Sequence, residues 1–245
     1  MSNDWSFLKN FTHARIALGR HGNAVPTKEL LNFRLAHSRA RDSVWQELDE
    51  NKITHQAFVI QSECSSKKEF LLNPDKGRKL SQASKEELQK LASRGEPSDC
   101  LLVLADGLSA KALHTNANGF VKEFVQEMKM SGLRLGPVLL AKYARVALGD
   151  IVAEIFQARS VVMLIGERPG LASSDSLGVY FTYLPKPGKS DSERNCISNI
   201  HSRGLSSEGA AKMTSYLVQQ ALKLKLSGVD LKVEYPSEYT RILPL

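Results

Sequence analysis

Short, continuously apolar segments alternate with segments of helical hydrophobic spacing through the middle of this chain. The apolar segments are residues 100–105, 137–141 and 161–165. They lack the alternation of a strand with one solvent-facing side, which predicts strands that are buried on both faces. Between the first two segments, Phe120, Phe124 and Met128 recur at helical spacing. Strands of this kind joined by helices predict an α/β fold with a mostly parallel sheet and helices on both faces.

Weaker patterns flank this central region. Residues 27–48 carry one apolar stripe opposite a polar face, which predicts an amphipathic N-terminal helix capped by Thr27 after Pro26. Residues 179–183 predict a further strand, and the spacing after Ser206 predicts a long helix. The other expected features are a strand at 57–60, a helix opened by the capping box of Ser84 and Glu87, a helix capped by Asp150, and Gly228 as the end of the long helix.

The length and hydrophobic content are sufficient for one large domain with an extension. The chain has 245 residues, of which 42% are hydrophobic, so it can bury a substantial core. We therefore predict two parts: an N-terminal helical segment at 1–50 and an α/β domain at 51–245.

The net charge of +7 does not by itself indicate a nucleic-acid-binding protein. Residues 1–100 hold 16 Lys and Arg against 13 Asp and Glu, and the remaining residues hold 17 against 13, so the excess is spread along the chain. Nucleic-acid binding usually concentrates positive charge on one face and, for single strands, adds aromatic residues. We expect a mildly basic, solvated surface and no nucleic-acid partner, and rank nucleic-acid binding third among the possible functions.

The cysteines and the apolar segments exclude other classes. Cys64, Cys100 and Cys196 are an odd number without close spacing, which encodes neither a disulfide framework nor a zinc site and fits a reducing cytosol. The histidines occur singly, without the i, i+4 pairing of a metal site. No uncharged apolar run approaches the roughly 18 residues of a membrane span, and the first residues lack a signal-peptide pattern.

Two loops after predicted strands are the first candidates for chemistry, because ligands of α/β proteins bind at the carboxyl ends of parallel strands. The loop at 166–170, Gly-Glu-Arg-Pro-Gly, offers backbone amides and the Glu167 carboxylate; its alternative interpretation is a solvated strand end. Asp106 and Ser109 follow the strand at 100–105 and could face a ligand or simply close a turn. The glycines do not form the G-x-G-x-x-G pattern of a dinucleotide site.

The segment at 194–201 carries a cysteine among polar residues, with Ile197 and Ile200 as its only apolar positions. The sequence places no histidine or acid to activate Cys196, so we expect a buried or contact residue and predict no catalytic residue in this chain. From chemistry alone, the chain is an α/β ligand-binding protein. A stand-alone protein that binds a small, nucleotide-like molecule is therefore the alternative function.

Six motifs, in order and with nearly matching spacing between about residue 9 and Leu231, resemble the small, light subunit of ethanolamine ammonia-lyase. They are residues 14–20 (ARIALGR), 35–42 (LAHSRARD), 105–109 (ADGLS), 143–146 (YARV), 166–171 (GERPGL) and 196–200 (CISNI). The last two are the most specific.

The resemblance implies a subunit of an adenosylcobalamin-dependent lyase that converts ethanolamine to acetaldehyde and ammonia by a radical mechanism. It implies that the α/β domain is Rossmann-like and contacts cobalamin, and that a TIM-barrel large subunit holds the substrate. It also implies that the corrin contacts on this chain are Val146, Glu167 and Cys196. The Asp-x-His-x-x-Gly sequence that accompanies a protein histidine on cobalt is missing, so the cofactor's own dimethylbenzimidazole is expected on cobalt.

The resemblance further implies a hetero-oligomer with six copies of each subunit and no membrane partner. Some members of the family carry a longer N-terminal extension that is thought to direct them into the ethanolamine microcompartment. This chain begins close to the first shared motif, so we expect a cytoplasmic protein. Whether it enters the microcompartment is left open. The segment at 232–245 lies past the similarity and has no assigned role.

Overall fold

A computed structural model describes residues 5–12 and 14–236. The helices are α1 (Thr27–Trp45), α2 (Lys67–Leu72), α3 (Gln82–Ala92), α4 (Ala110–Met130), α5 (Leu148–Ile155) and α6 (Ser207–Leu224). The strands are β1 (Phe58–Gln61), β2 (Cys100–Ala105), β3 (Leu135–Lys142), β4 (Ser160–Gly166), β5 (Leu177–Tyr183) and β6 (Arg194–Ile200). The predicted alternation of strands and helices is confirmed.

The six strands form one mixed sheet in the order β1-β3-β2-β4-β5-β6. The first four strands in this order are parallel to one another, whereas β5 pairs antiparallel with both β4 and β6. The predicted mostly parallel α/β sheet is therefore confirmed. Because β2, β3 and β4 run in the same direction, the loops that follow them meet at one edge of the sheet.

Helices cover both faces of the sheet, which explains why the central strands have no polar side. On one face, alternate strand residues such as Leu102 and Leu104 pack with Phe120 and Phe124 of α4 and with Val218 of α6. On the opposite face, Leu101, Val103 and Met163 pack with Leu88 of α3 and Val152 of α5. Every residue of β2 and β4 is buried, as the continuous apolar runs predict.

The N-terminal helix α1 lies outside these two cores. Its predicted apolar side is exposed: Leu31 is 57% and Leu35 50% accessible. The predicted Thr27 cap is wrong, because Thr27 is the first helical residue and Pro26 precedes it without a side-chain cap. Just past the helix, His114 of α4 holds the chain, accepting a hydrogen bond from the Asp49 amide at its Nε2 (3.0 Å).

Three predicted helix boundaries are corrected by side-chain contacts. Helix α3 begins at Gln82 because Ser81, rather than Ser84, accepts the capping hydrogen bond. The Ser84 hydroxyl instead accepts a hydrogen bond from the Gln61 amide at 3.0 Å. Asp150 does not cap α5, which begins at Leu148; Asp150 is buried in its first turn. Helix α6 ends four residues before Gly228, with Lys225 in the left-handed conformation.

The segment at 194–200, which has no strand-like alternation in its sequence, forms the edge strand β6. Its first residue is fixed by a buried ion pair. The Arg194 guanidinium donates to both carboxylate oxygens of Asp150, at 2.8 and 2.5 Å, and to the Thr182 hydroxyl at 2.8 Å. Burial alone would lower the pKa of Arg194, but its hydrogen bond and ion pair with the Asp150 carboxylate raise the pKa overall. The pair ties α5 to the strand that carries Cys196.

No helix in the described part of the chain is both long enough and apolar enough to span a membrane.

Candidate functional site

The loops that follow β2, β3 and β4 surround a cleft of about 450 Å³ at the carboxyl edge of the sheet. The cleft is lined by Gly107 and Leu108 after β2, Arg145 and Val146 after β3, Ile165 to Arg168 at the end of β4, and Tyr180 of β5. Two of the three predicted site residues, Val146 and Glu167, thus line one cleft although they are far apart in sequence.

Glycines bring two of these loops into close contact. Gly107 has a positive φ of 49°, and a side chain there would place its Cβ 2.3 Å from the Gly166 carbonyl oxygen. A Cβ on Gly166 would in turn lie 2.2 Å from the carbonyl oxygen of Ser109. The Leu108 amide donates to the Gly166 carbonyl at 2.9 Å. Since only glycine permits this approach, the pair fixes the floor of the cleft.

Glu167 is the first residue after β4, and its carboxylate is held in place. The Ser176 hydroxyl donates to Oε2 at 2.7 Å, and the Glu167 amide donates to the Ser176 carbonyl at 3.0 Å. A side chain on Gly178 would put a Cβ 2.7 Å from Oε1, so this glycine provides the space that the carboxylate occupies. The partly exposed carboxylate is therefore a positioned hydrogen-bond acceptor.

Val146 lies in the short connection between β3 and α5. The connection begins with Tyr143 in the left-handed region at φ 54°, an uncommon conformation for a non-glycine residue. The Tyr143 hydroxyl donates to Glu47 at 2.9 Å, and the Ala144 amide donates to the Asp106 carboxylate at 3.2 Å. Val146 packs partly against the core beside α5 and also lines the cleft, so it presents a fixed apolar surface.

Cys196 lies on the same side of the sheet as the cleft, one strand further along. It is exposed on β6 and is paired in register with Tyr180, which lines the cleft. Partial desolvation of the sulfur raises the pKa of the Cys196 thiol, a hydrogen bond with Tyr180 opposes the shift, and the Glu167 carboxylate adds to it. The group is therefore a neutral thiol near pH 7, which suits a contact residue better than a nucleophile.

Two further clefts continue this surface. One of about 320 Å³ shares Glu167 and Arg168 with the first, and a more apolar one of about 540 Å³ includes Cys196. These two further clefts share Asn199, His201 and Arg203 with each other. Because each cleft shares lining residues with the next, we call the three together the carboxyl-edge surface.

The two residues of the turn after β2 have structural roles. Asp106 is fully buried, and burial raises the pKa of its carboxyl group while Lys67 opposes the shift. The Lys67 ammonium lies 3.8 Å from this carboxylate and donates to the Gly107 carbonyl at 3.0 Å. The Ser109 hydroxyl caps α4 by accepting from the Ala112 amide. The turn interpretation of these two residues is therefore confirmed.

Sequence reasoning missed Tyr180, Arg145 and Ser176 as parts of the site. The strand pattern could have indicated Tyr180, because its neighbours Val179 and Phe181 belong to the core on the opposite face. Arg145 lies within the YARV motif but was not singled out. Ser176 had no local signal, since its role depends on Glu167 across the loop. Among the described residues, no group of His, Cys, Asp and Glu is arranged to hold a metal ion.

The chain is similar to a known family over nearly its full length. The family model described as "Ethanolamine ammonia-lyase light chain" matches residues 2–232. A protein of Pseudomonas putida (strain W619) called "Ethanolamine ammonia-lyase small subunit" is 44% identical over 241 residues, covering 95% of this chain and 88% of the relative. Proteins with the same description from Rhodopseudomonas palustris (strain BisA53) and Xanthomonas campestris pv. campestris (strain ATCC 33913) are 43% and 44% identical, covering 92% and 94% of this chain and 88% of each relative.

Proposed function

Since this chain belongs to the ethanolamine ammonia-lyase light-chain family, we propose that it binds one side of adenosylcobalamin while a large subunit covers the other side and holds ethanolamine. The observation that supports the proposal is the carboxyl-edge surface, where Val146 and Glu167 line one cleft and Cys196 lines another. We further propose the division into an N-terminal helical segment at 1–50 and a cobalamin-contacting domain at 51–245.

The side chains of this surface fit the chemistry of a corrin. The ring is a broad, mainly apolar plate whose rim carries carboxamides, so it needs apolar walls and positioned hydrogen-bond acceptors. Val146 and Leu108 provide apolar contacts, and the Glu167 carboxylate can accept hydrogen bonds from amide N–H groups. The close contact of Gly107 and Gly166 keeps side chains away from the floor of the cleft. The surface is open, which fits a cofactor that a second chain must cover.

When bound, adenosylcobalamin supplies an adenosyl radical, and the protein supplies binding, orientation and exclusion of water. In this proposal the present chain orients the cofactor and excludes water from one of its sides. Its rigid loops fix the position of the corrin, and its apolar residues keep water from that side. The six-to-six subunit composition and any place in a microcompartment are carried over from the family resemblance alone, whereas the proposed cytoplasmic location also rests on the cysteine pattern.

The replacement Glu167→Ala tests the proposed contact. We expect it to weaken cobalamin binding by the reconstituted complex by about tenfold, because it removes a charge-assisted hydrogen bond worth roughly 1.5–3 kcal/mol. The melting temperature of the chain should change little, since a partly exposed loop carboxylate contributes little to the core. Binding is measured by titration, following the corrin absorbance, and stability by thermal unfolding.

Glu154→Ala is the matched control, because Glu154 is an exposed carboxylate on α5 away from the carboxyl-edge surface. It should leave cobalamin affinity unchanged. A large fall in the melting temperature of Glu167→Ala together with normal cobalamin affinity would refute the proposed role of Glu167.

A further inference from the structure

Arg145 places a positive charge at the Val146 end of the cleft, without an ion-pair partner among the described residues. Its guanidinium stacks on the fully buried ring of Phe70, with the guanidinium carbon 4.4 Å from the ring centroid. Its backbone amide donates to the Gly77 carbonyl at 2.8 Å, so both ends of the residue are fixed. The side chain is half-buried and lines the cleft.

No carboxylate neutralises this guanidinium in the described part of the chain. Its Nε is buried without a hydrogen-bond partner. The buried carboxylate of Asp106 acts on Arg145 through its charge without forming an ion pair with it, and is already shared by the Lys67 ammonium and the Ala144 amide. Burial lowers the pKa of Arg145, and the like charges of Arg78 and Arg168 lower it further.

The neighbouring charges strengthen the positive potential. Arg168 lines the same cleft, is exposed, and has no ion-pair partner among the described residues. Arg78 lies nearby but is engaged with Asp75 at 2.8 Å. A guanidinium that is fixed by stacking, left without an acid and flanked by like charges is suited to an anion with oxygen acceptors.

Cobalamin carries one such anion, the phosphodiester that links its nucleotide to the corrin side chain. We propose that Arg145 binds this phosphodiester and so selects cobalamins over corrinoids that lack it. The inference rests on the proposed function, since it names the part of the cofactor that meets this end of the cleft.

Three corrinoids separate the possible contacts: cobalamin, cobinamide phosphate, which keeps the phosphate but lacks the base, and cobinamide, which lacks both. The affinity of each is measured by titration with the complex of this chain and the large subunit. We expect Arg145→Met to weaken cobalamin and cobinamide phosphate by roughly tenfold to a hundredfold and to leave cobinamide within about twofold, as for the loss of a charge-assisted hydrogen bond. Met retains an apolar contact with Phe70.

Two further variants keep the test interpretable. Arg145→Lys keeps the positive charge but not the planar guanidinium. Its affinity for the phosphate-containing corrinoids should therefore lie between those of the wild type and Arg145→Met. Arg134→Met removes an arginine at the opposite end of β3, where Arg134 pairs with Glu96, and should not change the binding of any of the three. Inorganic phosphate should compete with cobinamide phosphate in the wild-type complex and less so in Arg145→Met.

Equal losses for all three corrinoids in Arg145→Met would overturn the inference and indicate a corrin contact or a general structural role. A loss confined to cobalamin would also overturn it and point to the base. These outcomes differ from failure of the proposed function, in which the wild-type complex would bind none of the three corrinoids.

Discussion

The isolated chain is expected to produce no detectable acetaldehyde from ethanolamine, even with saturating adenosylcobalamin. Its carboxyl-edge surface is open to solvent, and under the proposed function it covers only one side of the cofactor. Its exposed thiol, Cys196, has a raised pKa, so it is mainly protonated near pH 7 and is a poor nucleophile. Adding the large subunit should produce turnover that rises with the amount of this chain until the two are equimolar.

The measurement is a cobalamin-dependent acetaldehyde assay on each subunit and on the mixture, with cofactor retention determined on the same samples. The large subunit alone should retain less cofactor than the mixture. The surface-matched control is Glu154→Ala, which should support normal turnover in the mixture. Steady turnover by the purified chain in the absence of the large subunit would refute the division of roles.

Asp150→Ala is expected to destabilise the chain by about 3–5 kcal/mol, because it leaves the buried Arg194 guanidinium without its carboxylate. The side chains of Asp150 and Arg194 are only 1% and 3% exposed. Thr182 and the Lys189 carbonyl would still accept from the guanidinium, but neither carries a charge. The free energy of unfolding is measured in urea at pH 7.

Two controls separate the buried pair from general effects. Asp191→Ala removes an exposed carboxylate 3.7 Å from Arg194 and should change the stability by less than about 1 kcal/mol. The double replacement Asp150→Leu with Arg194→Met removes both charges and should recover much of the lost stability. If Asp150→Ala proved as stable as Asp191→Ala, Arg194 would not depend on this carboxylate.

The central strands were predictable because their signal is local. Burial on both faces requires apolar side chains on both faces, and β2 and β4 show this without reference to the rest of the chain. Strand β6 was not predictable in the same way. Its inward residues Ile197 and Ile200 are three positions apart because the pairing with β5 shifts register, with Ile197 opposite Val179 and Ile200 opposite Leu177.

Helix ends were less predictable because several chemically equivalent residues compete for the same role. Ser81 and Ser84 could both cap α3, and the choice depends on Ser84 being needed by β1. Asp150 has the local signature of a cap, but a partner 44 residues later on β6 uses its carboxylate instead. Such outcomes depend on tertiary contacts that no local window contains.

The candidate site likewise contains residues that the local sequence indicates and residues that only the fold brings together. Glu167 was indicated locally, because it follows the end of a buried strand on a glycine-bounded loop. Val146 and Cys196 came from the family resemblance; the fold brings Val146 into the cleft of Glu167 and places Cys196 on β6 opposite Tyr180, which lines the same cleft. The proposed role of Arg145 depends on the stacking of its guanidinium on Phe70 of α2. This contact joins residues far apart in sequence, so only the three-dimensional structure shows it.

The most direct test of cofactor binding by this surface is an experimental structure of the complex with the large subunit and bound cobalamin. We expect the corrin to lie between the two chains, with its rim in contact with Glu167 and its face beside Val146 and Cys196. A macrocycle held entirely by the large subunit, with the loop at 166–170 out of contact, would contradict the account.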